Sequence, residues 1–404
     1  MERNKAVVVL GTFDSKGEEH AYLRDVIEER GFPALTIHAG TKAPAPFPVD
    51  YDLYTEAIAP RGGLGRDEAI EAVIEKGRSV VQERYRQDGL SGVISAGGGT
   101  GTYLCTEIMR ILPMGTPKVM ISTVASRDMS RTVGTKDITM MHSVVDLLGI
   151  NSISAGLLER AAGAVCGMVE SNERHRTGRT KKRVGLTMFG FITEGAEHVR
   201  RHLEALGYEV IPFHANGTGG MAMEELASEG LFAGVLDFAT HELADALLDG
   251  YCGGIGPGRL VPFPGRPNPP RLVIPGGLDC AVLIFDRNHI PERYRERSIF
   301  FYDFRSAVRL SREEAATLAR QLAEKLNRFG RGAKLLIPTL GWSEADKEGA
   351  PLYDPAMNRF FLNTVRENLS SAVSIQESHQ HINSSTFAEQ CAREMHAMIQ
   401  NSGE

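Results

Sequence analysis

Along the chain, short runs that are apolar at every position alternate with longer stretches of helical period. "VVVL" (7–10), "GVIS" (92–95) and "KVMI" (118–121) are of the first kind. A strand solvated on one face alternates apolar and polar residues, whereas one covered on both faces is apolar throughout, as in a parallel sheet between two helix layers. The pattern also repeats. Residues 6–40 and 183–217 each carry an apolar run, a glycine-containing loop, an amphipathic helix, a glycine stop (Gly31, Gly207) and a second apolar run. Both second runs end in His-Ala, His38-Ala39 and His214-Ala215. Farther on, "GLSGVISAGGG" faces "GLFAGVLDFAT", and "KVMISTVAS" faces "RLVIPGGLD". The expected fold class is α/β, with two Rossmann-like doubly wound parallel-sheet domains, 1–180 and 181–404. Right-handed crossovers would put the strand-end loops of each domain on one edge.

The basic stretch "SNERHRTGRTKKR" (171–183) reads as the linker between them, and the apolar stretch 142–169 as a helix packed between domains or subunits. The tail predicts a strand at "KLLIPTLGWS", a second at "VSIQES" and a last helix capped by Asn383, Ser384 or Ser385.

Composition narrows the function classes. Of 404 residues, 42% are hydrophobic and 24% charged, as in a globular protein with a sizeable core. A net charge of −6 gives no general attraction for nucleic acid or an anionic membrane. No apolar run approaches the roughly 20 residues that span a bilayer. The first strand begins within a few residues of Met1 and leaves no room for a signal peptide. The 5 cysteines are scattered without CxxC spacing, which predicts reduced thiols and a cytoplasmic protein.

Chemistry is expected in the glycine loops. In "AGGGTGT" (96–102), Gly97, Gly98, Gly99 and Gly101 let the backbone approach a ligand, and Thr100 and Thr102 add hydroxyls. It lacks the G-K-[ST] ending of a P-loop. "GTFDSKGEE" (11–19) opens the first helix, where Gly11, Thr12 and Lys16 could face phosphate and Asp14 a magnesium ion; an S-x-x-E capping box of Ser15 and Glu18 explains the same residues without a ligand. Ser122 and Thr123 end the next strand, and the long polar loop after it supplies Asp128 and Asp137 as carboxylates that could bind a metal, or Asp137 as an N-cap. In the second half, "NGTGGMA" (216–222) fits G-x-G-x-x-A, with Asp237 placed as a ribose-binding acid. "HELAD" (241–245) has Asp245 where the second imidazole of a zinc helix should stand, and reads as a charged helical face. "IPGGLD" (274–279) is a candidate small-molecule rim. No catalytic residue is assigned.

Six stretches in order, "GTFDSKGEE", "GGGTGT", "STVASRDMSRTVGTKDITMMHSVVDLLGIN", "HANGTGGMAMEEL", "VLDFATHELADAL" and "PLYDPAMN", resemble the ATP-binding family named after the plant tobamovirus-resistance protein. The chain departs from that pattern at Arg127, at His241 and around Cys280. The resemblance implies two Rossmann-like subdomains, ATP binding and a homodimer; in plants the related domain binds a viral replication protein. The expected function is an ATP-binding protein of unknown reaction, with Mg²⁺ held by Asp14 or Asp137. Two rivals are an NAD(P)-dependent oxidoreductase on 216–222 and a non-catalytic sensor of a nucleotide or other phosphorylated metabolite.

Overall fold

A computed structural model describes residues 5–175, 181–256 and 258–402. The chain divides into two compact units, Met1–Arg179 and Thr180–Glu404.

The first unit runs β1 Ala6–Gly11, α1 Phe13–Glu29, β2 Ala34–His38, β3 Tyr51–Asp52, α2 Arg66–Arg86, β4 Leu90–Gly97, α3 Gly99–Met109, β5 Lys118–Ser122, α4 Ser130–Val133, β6 Thr139–His142 and α5 Ser152–His175. Its sheet is parallel, in the order β3-β2-β1-β4-β5-β6. β1 is buried at every position, and successive side chains serve opposite layers. Val8 and Leu10 join the core beneath α2 and α3, while Val7 and Val9 join the core beneath α1 and α5. This is the doubly wound arrangement that unbroken apolar runs require.

The second unit continues with β7 Arg183–Met188, α6 Thr193–Ala205, β8 Glu209–His214, α7 Thr218–Ser228, β9 Gly234–Asp237, α8 Glu242–Leu248, β10 Arg271–Val273, β11 Cys280–Leu283, β12 Ile299–Phe301, β13 Ser306–Arg309, α9 Arg312–Phe329, β14 Ala333–Pro338, α10 Pro355–Asn368, β15 Ser374–Ser378 and α11 Ser385–Asn401. Its main sheet is also parallel, ordered β15-β14-β10-β9-β7-β8. α6 and α11 cover one face, and α7, α9 and α10 cover the other. Ser384 caps α11 through its hydroxyl, which accepts the Phe387 N–H.

Three features depart from the sequence reading. A small antiparallel sheet, β11-β13-β12, branches from the second unit. The helix expected over 142–169 spans Ser152–His175, so it takes in the first residues of the supposed linker, and β7 takes in its last, Arg183. Residues 176–180 of that stretch lie outside the described residues. The long loop after β5 also carries a helical turn, α4, and the edge strand β6.

Candidate functional site

In the first sheet the chain leaves β1 toward β2 on one side and reaches β4 on the other. The carboxyl ends of β1 and β4 therefore flank the switch point, where loops diverge and open α/β sheets leave a crevice. A cleft of about 260 Å³ opens there, lined by Thr12, Asp14, Ser15, Lys16, Thr41, Lys42, Arg66 and Gly98 to Gly101.

One wall is the start of α3. Its hydrogen-bond ladder begins with the Thr102 N–H donating to the Gly98 carbonyl, and its N-cap, Gly98, has no side chain to satisfy the amides of the first turn. Neither Gly98 (φ −83°) nor its neighbours adopt the left-handed backbone that calls for glycine. A Cβ on Gly98 would come no closer than 3.7 Å to Thr123 Oγ1, and one on Gly99 would meet nothing within 4 Å. The fold does not need glycine at these two positions, and the bare backbone faces the cleft.

The opposite wall starts at Thr12, the N-cap of α1. The expected capping box is absent: Ser15 lies inside the helix and donates its hydroxyl to Thr12, and Thr12 makes no side-chain cap bond. Lys16 sits at a kink in α1 with non-helical angles (φ −135°, ψ 38°), and its ammonium donates to the Leu147 carbonyl. Asp14 accepts the Lys42 N–H at 2.9 Å. Arg66 donates to Thr100 Oγ1 at 3.2 Å.

The remaining predicted residues lie below or beside this lining. Thr102 and Ser122 are buried and share a hydroxyl hydrogen bond of 2.7 Å. The Thr123 N–H donates to the Gly97 carbonyl at 3.1 Å, which ties β5 to the glycine loop. At Gly11 a Cβ would fall 1.9 Å from the His20 ring. That ring donates from Nδ1 to the Lys16 carbonyl (2.6 Å) and accepts the Ala96 N–H at Nε2 (3.3 Å), bracing α1 against β4. Full burial pushes the His20 pKa down to about 4, against the raising effect of the Lys16 carbonyl.

Asp137 does not belong to this site. It lies at the amino-terminal edge of the sheet, where Lys118 of β5 donates to it at 2.6 Å and the Gly115 N–H at 2.8 Å. Its carboxylate holds the start of a strand whose far end approaches the cleft. Lys42, Thr41 and Arg66 were not foreseen. The first two follow "HAG" directly, on the same edge as the other loops, whereas Arg66 comes after a long irregular stretch that carries no pattern.

The second glycine loop is arranged differently. The N–H groups of Gly217 and Gly220 donate to the Glu242 carboxylate at 2.8 and 3.3 Å, so one of the protein's own anions fills the place of a pyrophosphate. Gly217 has φ +93°, and a Cβ on Gly219 would lie 2.0 Å from the His214 carbonyl oxygen. The fold itself demands these glycines. Asp237 is fully buried and paired with Arg259 at 2.7 Å and Arg271 at 2.8 Å, leaving it unavailable to a ribose. The loop also follows β8, an edge strand away from the switch point between β7 and β9. The dinucleotide fingerprint is a formal match that encloses a buried ion network.

Residues 5–174 match the Uncharacterised protein family (UPF0261) N-terminal domain, and residues 181–399 match its C-terminal domain. The chain belongs to the UPF0261 family. A UPF0261 protein of Clostridium tetani (strain Massachusetts / E88) is 36% identical over 406 residues, covering 98% of this chain and 100% of that protein. UPF0261 protein RA0729 of Rhizobium meliloti (strain 1021) is 35% identical over 394 residues, covering 95% and 97%. The ToMV resistance protein Tm-1(GCR237) of Solanum lycopersicum is 38% identical over 274 residues, which are 67% of this chain and 36% of that longer protein. The solved UDP-N-acetylglucosamine 2-epimerase from Rickettsia bellii aligns over 98% of this chain and 96% of that one, at 10% identity and a TM-score of 0.22.

The second unit of this UPF0261 chain has its own cleft of about 480 Å³ at the carboxyl edge of its sheet. Glu194, Glu344, Lys347 and His381 are its titratable side chains, beside the polar Thr193, Asn383 and Ser384. Two carboxylates against one ammonium make it a poorer anion site than the first cleft, whose lining has one carboxylate, Asp14, with Lys16, Lys42 and Arg66. Asp279 of the "IPGGLD" rim is buried instead, accepting the Ser343 hydroxyl at 2.9 Å. The "HELAD" side chains are not a solvated face either: His241, Glu242 and Asp245 are all buried. Among the described residues, no helix is long and apolar enough to cross a membrane.

Proposed function

We propose that the first-unit cleft binds the phosphates of ATP, and that this is a cytoplasmic, homodimeric nucleotide-binding protein. The reading is carried by one observation. At the switch point, Gly98 and Gly99 hold open the uncapped start of α3, although the fold places no demand for glycine on either. Helix-start amides stabilise anions, and the surrounding Lys16, Lys42 and Arg66 add positive charge. Asp14 is the carboxylate that would share Mg²⁺ with the phosphates, in keeping with a metal that takes one or two protein carboxylates and keeps its other ligands from substrate and water. About 260 Å³ suits the phosphate end of a nucleotide, with the base outside. Hydrolysis, transfer or sensing would all begin from this complex.

Thermal unfolding with ATP, ADP, AMP or NAD⁺, each with and without Mg²⁺, tests the reading. Ligand at about 100 times its Kd should stabilise the protein by about 2.7 kcal/mol. Gly98→Val and Gly99→Val should fold normally and lose that response to ATP. A response to NAD⁺ alone, or one that survives both substitutions, would remove the glycine loop from the site.

A further inference from the structure

The second unit gathers three buried side chains that the nucleotide reading does not use. His241 precedes α8, Asp245 stands one turn later on that helix, and Cys252 follows in the next turn of chain. Their ligand atoms lie within 4.8 Å of one another, and all three residues are buried. His241 stacks on Phe189, ring centroids 3.8 Å apart, and among the described residues neither of its nitrogens has a hydrogen-bond partner. A buried imidazole with both nitrogens idle is a costly arrangement, since buried polar atoms are nearly always paired. Asp245 accepts the N–H groups of Cys252 and Val282, each at 2.7 Å, one on each oxygen, and it also accepts the Cys252 thiol proton, whose place a metal would take.

We propose that His241, Asp245 and Cys252 form a three-ligand site for a divalent transition-metal cation of the zinc type, with a fourth position left for an outside ligand. Nitrogen, sulfur and oxygen donors together suit such an ion, and bonds of about 2.0–2.3 Å require the donors to draw together from their present spacing. A Cys-His nucleophile fits less well. The thiol hydrogen-bonds the Asp245 carboxylate, and burial pushes its pKa up to about 12. Burial also raises the Asp245 carboxyl, to about 7. Metal entry displaces the thiol proton to solvent and forms the metal–sulfur bond, and any proton on Asp245 leaves with it. The cation's two charges then balance thiolate and carboxylate.

The test uses the full chain, stripped with EDTA and titrated with Co²⁺ and then Zn²⁺. One Co²⁺ per chain with a thiolate-to-cobalt charge-transfer band is expected, displaced by Zn²⁺. Cys252→Ser should abolish the band and weaken Zn²⁺ binding at least tenfold. His241→Ala, which gives up no hydrogen bond, should weaken it likewise with an unchanged circular dichroism spectrum. Absence of Co²⁺ binding, binding without the band, or undiminished binding in either variant overturns the site.

Discussion

At the scale of single residues, the two glycine loops differ in whether the fold requires their glycines. A Cβ at Gly99 meets open space, whereas at Gly219 it meets a carbonyl oxygen at 2.0 Å. Gly99→Ala should therefore raise stability by about 0.4–1 kcal/mol, because it removes freedom only from the unfolded chain. Gly219→Ala should destabilise the protein; urea unfolding of the pair reads both signs, and equal effects would remove the distinction. His20 gives a second residue-scale expectation. Its folded pKa of about 4 lies below the unfolded value of about 6.5, so as pH falls the unfolded chain takes the proton first. The stability it contributes is complete above pH ~6.5 and declines by about 3 kcal/mol as pH falls to ~4. In a histidine NMR titration, its ring resonance should stay at the neutral position down to pH ~5. A midpoint near that of exposed imidazoles would mean that the ring does not brace α1 against β4.

At the scale of elements, sequence spacing did best where one local rule acts. Unbroken apolar runs predict parallel strands, and β1, β4 and β5 are such strands. The glycine loop before α3 and the loop before α1 converge because both follow strands at the switch point, which doubly wound topology implies. Motifs whose meaning depends on distant partners misled. "NGTGGMA" looks like a phosphate loop until Glu242, folded back from the next helix, occupies its amides. Asp137 looks like a loop carboxylate until Lys118 reaches it at the sheet's other edge. Neither pairing leaves a trace in spacing. The ion network around the false fingerprint has its own consequence. Arg259 touches Glu224, Asp237 and Glu242, and all four residues are almost fully buried. Arg259→Leu leaves buried Glu242 without a cation, while Arg271 still pairs Glu224 and Asp237, and should cost about 3–5 kcal/mol. Urea unfolding measures it, and a loss under 1 kcal/mol would show that water reaches the cluster.

At the scale of the whole molecule, the internal likeness read from the sequence becomes one strand order used twice. β2-β1-β4-β5 in the first unit has its counterpart in β8-β7-β9-β10 in the second. The shared His-Ala has the same local task in each: the Ala39 N–H donates to the Gly11 carbonyl, and the Ala215 N–H to the Met188 carbonyl, both at 2.7 Å. The likeness stops at the strand ends. Where the first unit has Gly97, Gly98 and Gly99 at the end of β4, the second has Phe238, Ala239 and Thr240 after β9, with Phe238 and Ala239 built into its core. One framework thus carries two different edges, and of these two segments the one after β4 opens a bare helix start with cations around it. Nucleotide should therefore act on one unit. Hydrogen exchange with saturating ATP and Mg²⁺ should slow in the segments around 12–16, 41–42 and 97–103, and leave 189–194 and 379–384 unchanged. Protection at the latter two segments instead would move the nucleotide to the cleft lined by Glu194 and His381, and would leave the first-unit glycines with no ligand to explain them.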